Sequence, residues 1–258
     1  VNLSFEILVV DDGSTDGTGK ISENAGAKIL QLPYNRGYGA AIKSGIRIAK
    51  YGTILLMDGD GQHDPGDIPR LIDKMAQNDM VIGARESSKQ GRTRTFGKFF
   101  MKLLVNYLIG IKVPDLNSGF RAFNKELALQ FLHMFPNGFS LSTTSTMAFL
   151  SDGFRVEFIP INTLSRAGGK GKLRPVRAGV HTLALMLRLI MLFNPLKVFL
   201  PISGIIFMVG IGLIATNFSL GTYRIPASAI ISISVSSLIL CLALLAEQIS
   251  ILVKKRQG

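Results

Sequence analysis

The chain has 258 residues and carries 29 Lys and Arg residues against 17 Asp and Glu residues, a formal net charge of +12. This length fits one ordinary domain with an appendage, and the single cysteine, Cys241, excludes an internal disulfide. The basic excess favours phosphate-rich partners, which are nucleic acid, anionic lipid headgroups or phosphorylated substrates.

Short apolar runs alternate with helical patterns in the N-terminal part of the chain. The predicted elements, in chain order, are strands at 5–10 and 27–32, a helix from 35 to 50, a strand at 53–57, a helix at 68–78 and a strand at 79–83. Strands that alternate with helices predict a mostly parallel sheet covered by helices. Ligands bind such sheets beyond the carboxyl ends of the strands, so we expect the functional site at that edge.

The strand at 53–57 is followed by Asp58, Gly59 and Asp60. Two carboxylates separated by one glycine repel one another unless they share a cation, and Mg2+ and Mn2+ prefer oxygen ligands. Mg2+ takes one or two protein carboxylates and fills its other positions with water and substrate phosphates. The pattern therefore indicates either a metal that holds a nucleotide diphosphate or a solvated acidic turn.

A basic segment without carboxylates separates this region from the C-terminal part. No acidic residue occurs between Glu157 and Glu247, and basic residues crowd the beginning of that interval. Apolar residues with helical spacing over 176–193, interrupted by basic residues on the other surface, follow this block. They predict an amphipathic helix in the membrane interface, with an ordinary core helix as the alternative.

Two apolar runs, at 196–216 and 226–253, complete the chain. About 20 apolar residues cross a bilayer, so these runs predict a transmembrane hairpin, with a pair of buried helices in a soluble protein as the alternative. Basic residues flank both runs on the outside, whereas the connector at 217–225 holds only Arg224. The positive-inside rule therefore predicts cytoplasmic flanks and a connector on the far side of the membrane.

Four motifs together resemble a known family. They are VDDGSTDGT at Val10–Thr18, NRGYGAA at Asn35–Ala41, MDGDGQHDP at Met57–Pro65 and NSGFRAF at Asn117–Phe123. In this order, and with a C-terminal hairpin, they resemble the GT-A-fold glycosyltransferases of family 2, in particular the polyprenyl-phosphate glycosyltransferases similar to dolichyl-phosphate mannose synthase. The resemblance implies an α/β, Rossmann-like catalytic domain at 1–164, a basic loop and juxtamembrane helix at 165–195 and two transmembrane helices at 196–258.

The same resemblance assigns roles to particular residues. It implies that Asp11 and Asp12 contact the nucleoside. It also implies that Asp58, Asp60 and Gln62 hold Mg2+ or Mn2+, and that Asp58 contacts the nucleotide as well. It implies that Arg85 lies near the phosphates of the donor or acceptor.

One departure from the family concerns the beginning of the chain. Family members begin with a further strand and helix, whereas only 1–4 precede the strand that leads to Asp11. The family's first strand is internal to the sheet, and its loss would leave unpaired backbone groups and a gap in the core. We therefore expect an N-terminally truncated copy of the catalytic domain.

The chemistry expected of such an enzyme needs cations more than a base. A polyprenyl phosphate is already a good nucleophile, because its second ionisation lies near neutrality. The metal would stabilise the departing diphosphate, and arginines would position the acceptor phosphate. The cationic candidates are Arg85, Arg121, Arg166, Lys170 and Lys172 of a Gly-rich loop, and Arg92 and Arg94, each with a solvated surface charge as its alternative role.

The expected function is metal-dependent, inverting transfer of a hexose from a nucleotide-sugar of the GDP-mannose or UDP-glucose type to dolichyl or undecaprenyl phosphate. The reaction would take place at the cytoplasmic face of a membrane. A prokaryotic plasma membrane fits this expectation better than the endoplasmic reticulum does. No nucleic acid is expected as a partner. Asp60, Arg85 and Arg121 are the residues expected to carry it. The alternatives are a non-catalytic membrane partner and a processive polysaccharide synthase, for which two spans are few.

Overall fold

The computed structural model describes residues 4–85, 113–162 and 193–255, with single residues between 103 and 110 and between 187 and 191. The chain divides into two compact units, Val1–Ala178 and Gly179–Gly258. The first unit contains all the strands described below, and the second contains two long helices. The predicted three-part division at 164 and 195 stays a prediction.

The first four elements of the N-terminal unit build a two-stranded parallel sheet and its covering helices. They are β1 (Leu8–Asp11), α1 (Thr18–Asn24), β2 (Lys28–Gln31) and α2 (Tyr38–Ile48). Both strands are shorter than predicted, because pairing begins only at Leu8 with Lys28 and ends at Asp11 with Gln31. The loop before α2 passes Gly37 at φ 98°, where a side chain would also collide with the carbonyl of Asn137.

The remaining strands form a second sheet of four strands. Its elements are β3 (Thr53–Leu56), a short 3-10 helix (Pro65–Asp67), α3 (Ile68–Lys74), β4 (Met80–Arg85), β5 (Arg121–Asn124), α4 (Lys125–Gln130), α5 (Leu141–Ser151) and β6 (Val156–Ile161). The strand order is β3-β5-β4-β6, and β5 runs antiparallel to both of its neighbours. β4 and β6 are parallel. The described sheet is therefore mixed rather than mostly parallel, because a strand that was not predicted lies between β3 and β4.

Apolar side chains cover both sides of the four-stranded sheet. A buried cluster places Leu71 of α3 against side chains of β4, β5 and β6, among them Val81, Ala122 and Ile159. Elsewhere in the unit, Phe149 of α5 packs against several aromatic rings. The centroids of the Phe149 and Phe131 rings, for example, are 5.5 Å apart. This packing fixes the strands, and with them the positions of the residues that follow the strand ends.

The C-terminal unit is a helical hairpin of α6 (Pro195–Ser219) and α7 (Ala227–Lys255). Both helices are long and apolar enough to cross a membrane, with a mean hydropathy of 2.5 over their most apolar windows. Small residues join them: Ser203 and Ser236 hydrogen-bond each other's backbone carbonyls, at 3.0 and 2.9 Å. Close contact of this kind between small residues is typical of helix pairs in lipid.

Candidate active site

The described strands bring the predicted site residues to one edge of the sheet. Because β3 and β4 are both antiparallel to β5, they run in the same direction and their carboxyl ends meet. Asp58 follows β3, Arg85 ends β4 and Arg121 begins β5 at this edge. Residues from separate motifs therefore form one cluster, as expected for a ligand site in a sheet of this kind.

The carboxylate of Asp58 is held from several directions. The hydroxyl of Tyr38 donates to its Oδ1 at 2.9 Å, and Nε2 of His63 lies 3.8 Å from its Oδ2. The backbone of Gly119 lies so close that a Cβ there would overlap the Asp58 carboxylate. The pKa of Asp58 lies below its ordinary value because His63 and then Tyr38 favour the charged form, while burial opposes them. Asp58 is therefore a half-buried, ionised carboxylate of fixed orientation.

Tyr38 is itself fixed by neighbouring segments. Both oxygens of Asp12 accept from the backbone N–H groups of Arg36 and Gly37, at 2.7 and 2.8 Å, and so anchor the loop that leads to Tyr38. Its ring stacks on Phe139 at 5.3 Å between ring centroids. Burial, followed by the charge of Asp58 and the hydrogen bond to it, raises the pKa of Tyr38 to about 12. The hydroxyl is therefore protonated at neutral pH and acts as a hydrogen-bond donor.

Asp60 and Gln62 follow on the same loop. Both are half-buried, and the backbone N–H of Gln62 donates to Oδ1 of Asp60 at 3.1 Å. Within the described residues no three His, Cys, Asp or Glu side chains form a group that could hold a metal. Two carboxylates and an amide oxygen match a Mg2+ or Mn2+ ion that takes its other ligands from water and phosphate.

Arg85 is clamped by Asp115. Its Nε donates to Oδ2 of Asp115 at 2.7 Å, and an Nη donates to Oδ1 at 3.2 Å, which is a bidentate arrangement. Asp115 also accepts from the backbone N–H of Asn117 at 3.0 Å. Burial alone would raise the pKa of Asp115, but hydrogen bonds and charge from Arg85 outweigh it and hold that pKa below its ordinary value. The hydrogen bond to Asp115 likewise raises the pKa of Arg85.

Arg121 occupies a different environment from the one expected of a phosphate ligand. Its side chain is fully buried, and its guanidinium donates to the carbonyls of Ser118 and Ser142 and to the hydroxyls of Ser145 and Thr146. Burial lowers the pKa of Arg121 to about 10, so that it stays charged at neutral pH. Protein acceptors already surround the group, and the expectation that Arg121 positions a phosphate stays a prediction.

The two aspartates expected at the nucleoside have structural partners. Asp11 is buried and accepts from the backbone N–H of Ser14 at 2.9 Å, which closes the turn after β1. Asp12 holds the loop before α2 through both oxygens. The predicted nucleoside contacts of both residues stay predictions.

Several predicted cations lie outside the described residues, and these are Arg92, Arg94, Arg166, Lys170 and Lys172. Most of the predicted interfacial helix at 176–193 also lies there. Tyr38, which contacts Asp58, was not among the site residues predicted from the sequence. Tyr38 lies within the motif at 35–41, but nothing in the motif indicates a partner 20 residues away.

Similarity to known proteins shows the family of this chain. The family model described as glycosyl transferase family 2 matches residues 2–131. This chain belongs to that family. The glycosyltransferase also matches a second model, described as the GtrB C-terminal hairpin, over residues 194–252. The predicted enzyme class and the predicted C-terminal hairpin are thereby confirmed.

Bacterial and archaeal proteins are among the curated relatives of this glycosyltransferase. The undecaprenyl-phosphate mannosyltransferase of Micrococcus luteus is 29% identical over 65% of this chain and 75% of the relative. The polyprenol monophosphomannose synthase of Mycolicibacterium smegmatis is 28% identical over 65% of this chain and 69% of the relative. The glycosyltransferase AglJ of Haloferax volcanii is 28% identical over 80% of this chain and 70% of the relative.

Solved structures agree on the fold. Glucosyl-3-phosphoglycerate synthase from Mycobacterium tuberculosis, in complex with Mn2+, UDP and glucosyl-3-phosphoglycerate, matches this glycosyltransferase with a TM-score of 0.56. The match covers 72% of this chain and 67% of that structure, at 19% identity. The same synthase has been solved with Mg2+ and UDP. The GT-A α/β fold predicted for the catalytic unit is confirmed.

Proposed function

We propose that this glycosyltransferase moves a hexose from a nucleotide-sugar, of the GDP-mannose or UDP-glucose type, to the phosphate of a membrane polyprenol such as undecaprenyl or dolichyl phosphate. Supporting this choice of acceptor, two of the relatives are named for sugar transfer to polyprenyl phosphates. A hairpin long and apolar enough to cross a membrane would keep the catalytic unit near such a lipid. Bacterial and archaeal relatives favour a prokaryotic plasma membrane.

The observation that carries the proposal is that an acidic and a basic side chain lie at the same edge of the sheet. Asp58 follows β3. Arg85 is the last residue of β4, which runs in the same direction as β3. The hydrogen bond with Asp115 raises the pKa of Arg85 most, and the charge of Asp58 adds to that rise. A transfer between two phosphates needs both kinds of group, because a cation must be held for the leaving diphosphate and a positive charge must face the acceptor phosphate.

The donor side of the reaction is assigned to the loop after β3. Asp58, Asp60 and the amide oxygen of Gln62 would hold Mg2+ or Mn2+, and their oxygen chemistry fits that choice. The bound ion would supply Lewis-acid stabilisation of the departing diphosphate. Asp58 is suited to this role because it is ionised and held in a fixed orientation by its neighbours.

The acceptor side is assigned to Arg85. Asp115 holds one edge of the Arg85 guanidinium, through Nε and one Nη, and the Arg85 side chain keeps 29% of its surface exposed for a ligand. The acceptor phosphate needs no strong base, since it is largely ionised near neutrality. In agreement with this, α5 presents hydroxyls and no carboxylate near the site. Arg92, Arg94, Arg166, Lys170 and Lys172 remain proposed contributors to phosphate binding.

A donor screen tests the proposal directly. The full-length protein in detergent is incubated with Mn2+, a short polyprenyl phosphate and one radiolabelled nucleotide-sugar at a time, and label is counted in the organic phase. We expect one donor to transfer label to lipid and chelator to abolish the transfer. Absence of transfer from every donor, with intact folding, would favour the non-catalytic alternative.

Substitution of Arg85 by lysine is expected to raise the KM for polyprenyl phosphate about tenfold to a hundredfold, because lysine cannot make the bidentate contact with Asp115 that orients the group. Nucleotide-sugar binding should stay unchanged. Steady-state kinetics with each substrate varied in turn measures both effects. Arg47→Lys, an exposed position on α2, is the matched control. An unchanged KM for the lipid would contradict the assignment of Arg85.

The orientation of the hairpin is a separate prediction. In a Cys241→Ser background, Ser219→Cys at the end of α6 should react with an impermeant thiol reagent added to intact cells, whereas Gln257→Cys should not. The reason is that basic residues are concentrated on the outer flanks of the hairpin, whereas the connector holds only Arg224. Labelling after permeabilisation is the control for reactivity. The reverse pattern would place the catalytic unit outside the cytoplasm.

A further inference from the structure

The contact between Tyr38 and Asp58 joins two parts of the catalytic unit that are far apart in sequence. Tyr38 begins α2, beside the two-stranded sheet, and Asp58 follows β3 of the four-stranded sheet. Their hydrogen bond, 2.9 Å long, is made to Oδ1, while His63 lies on the side of Oδ2. One carboxylate oxygen of Asp58 therefore accepts a hydrogen bond from Tyr38, and the other lies near a ring nitrogen of His63.

His63 belongs to the same arrangement. Its side chain is 7% exposed and stacks on Phe120 at 5.1 Å between ring centroids, and its Nδ1 has no hydrogen-bond partner among the residues that the structure describes. A buried ring held by stacking limits the rotation of the carboxylate beside it. Gly119 limits it further, since its backbone lies against the same carboxylate. Asp58 is therefore confined by groups that are themselves fixed.

A hydrogen bond of this kind leaves the carboxylate free to bind a cation. Each carboxylate oxygen has two lone-pair sites, and Tyr38 uses one of the four. Carboxylates that bind metals are commonly hydrogen-bonded from behind, and loss of such a partner costs about 10-fold to 100-fold in metal affinity or activity. The hydroxyl of Tyr38 gives Asp58 a hydrogen-bond partner of this kind.

We propose that Tyr38 is a positioning residue that orients Asp58 toward the divalent cation of the donor site. The inference rests on the proposed function, in which Asp58 binds that cation. Asp12 supports the position of Tyr38, because its two hydrogen bonds anchor the loop at Arg36 and Gly37 from which Tyr38 extends. Phe139, stacked on the Tyr38 ring, keeps the hydroxyl directed at Asp58.

The test is Tyr38→Phe in the full-length protein in detergent. The change removes one oxygen and keeps the ring that stacks on Phe139, so the fold is retained. Mn2+ affinity is measured in the presence of UDP or GDP by electron paramagnetic resonance of the free ion, independently of turnover. We expect the affinity to fall about 10-fold to 100-fold. In transfer assays, the Mn2+ concentration at half-maximal rate should rise equally, with kcat restored at saturating Mn2+.

Tyr51→Phe is the matched control, since Tyr51 precedes β3 at the opposite end of that strand from Asp58. The control should bind Mn2+ as the unchanged protein does. If Tyr38→Phe also binds Mn2+ normally while Asp58→Asn does not, the positioning role is wrong and the donor site stands. If the unchanged protein and Asp58→Asn bind Mn2+ and nucleotide alike, the proposed function of Asp58 itself is wrong.

Discussion

Replacement of Asp58 by asparagine is expected to reduce sugar transfer by at least about 100-fold, because metal stabilisation of a leaving diphosphate contributes several kcal/mol. Asparagine keeps the size of the side chain and can still accept from Tyr38 at its amide oxygen, so the loop should stay in place. The change removes the negative charge that attracts the cation. Initial rates over a range of Mn2+ concentrations, with lipid phosphate saturating, measure the loss.

Asp73→Asn is the control for this substitution, because Asp73 is an exposed aspartate on α3, away from the strand ends. Its transfer rate should match that of the unchanged protein. Binding of lipid phosphate should be largely retained in Asp58→Asn, since only the donor diphosphate depends on the cation. Full activity of Asp58→Asn in the presence of chelator would contradict the metal assignment.

The largest effect on stability is expected from Arg121→Ala. The substitution removes hydrogen bonds from a charged donor to Ser118, Ser142, Ser145 and Thr146 and leaves a cavity beside unpaired acceptors. We expect the local free energy of opening to fall by about 3 to 5 kcal/mol, at the upper end of the range for single substitutions. Amide hydrogens in β5 should then exchange more than about 100-fold faster, which hydrogen-exchange mass spectrometry in detergent measures.

Arg47→Ala is the matched control, since this arginine is exposed on α2 and its removal should change stability by less than about 0.5 kcal/mol. The experiment also separates two roles for Arg121. A buried structural cation predicts faster exchange in β5. If exchange in β5 is unchanged and only the KM for polyprenyl phosphate rises, Arg121 contacts the acceptor as the sequence analysis expected.

Much of the fold was predictable because the signals are local. Short apolar runs predicted β1, β3 and β4, and the observed strand ends lie within three residues of the predicted ones. The strand β5 was missed, because RAFN is short and begins with an arginine that belongs to a recognisable motif. The mixed character of the sheet followed from that one strand, since it pairs with both β3 and β4.

For the site, the sequence by itself determined which residue types are present and near which strand ends they lie. Asp58 and Asp60 were identified because carboxylates directly after an apolar run come to the ligand-binding edge of a sheet. The role of Arg85 was implied by the resemblance to the family. The hairpin was equally determined, since length and hydropathy alone make α6 and α7 candidates for membrane spans.

Only the tertiary structure decided what each charged group contacts. Arg121 proved to be buried among the hydroxyls and carbonyls of α5, Arg85 is paired with Asp115, and Tyr38 reaches Asp58. These pairs are 20 to 30 residues apart in sequence. Whether they meet depends on how β5 and the loop before α2 pack, and no local pattern of residue types records that packing.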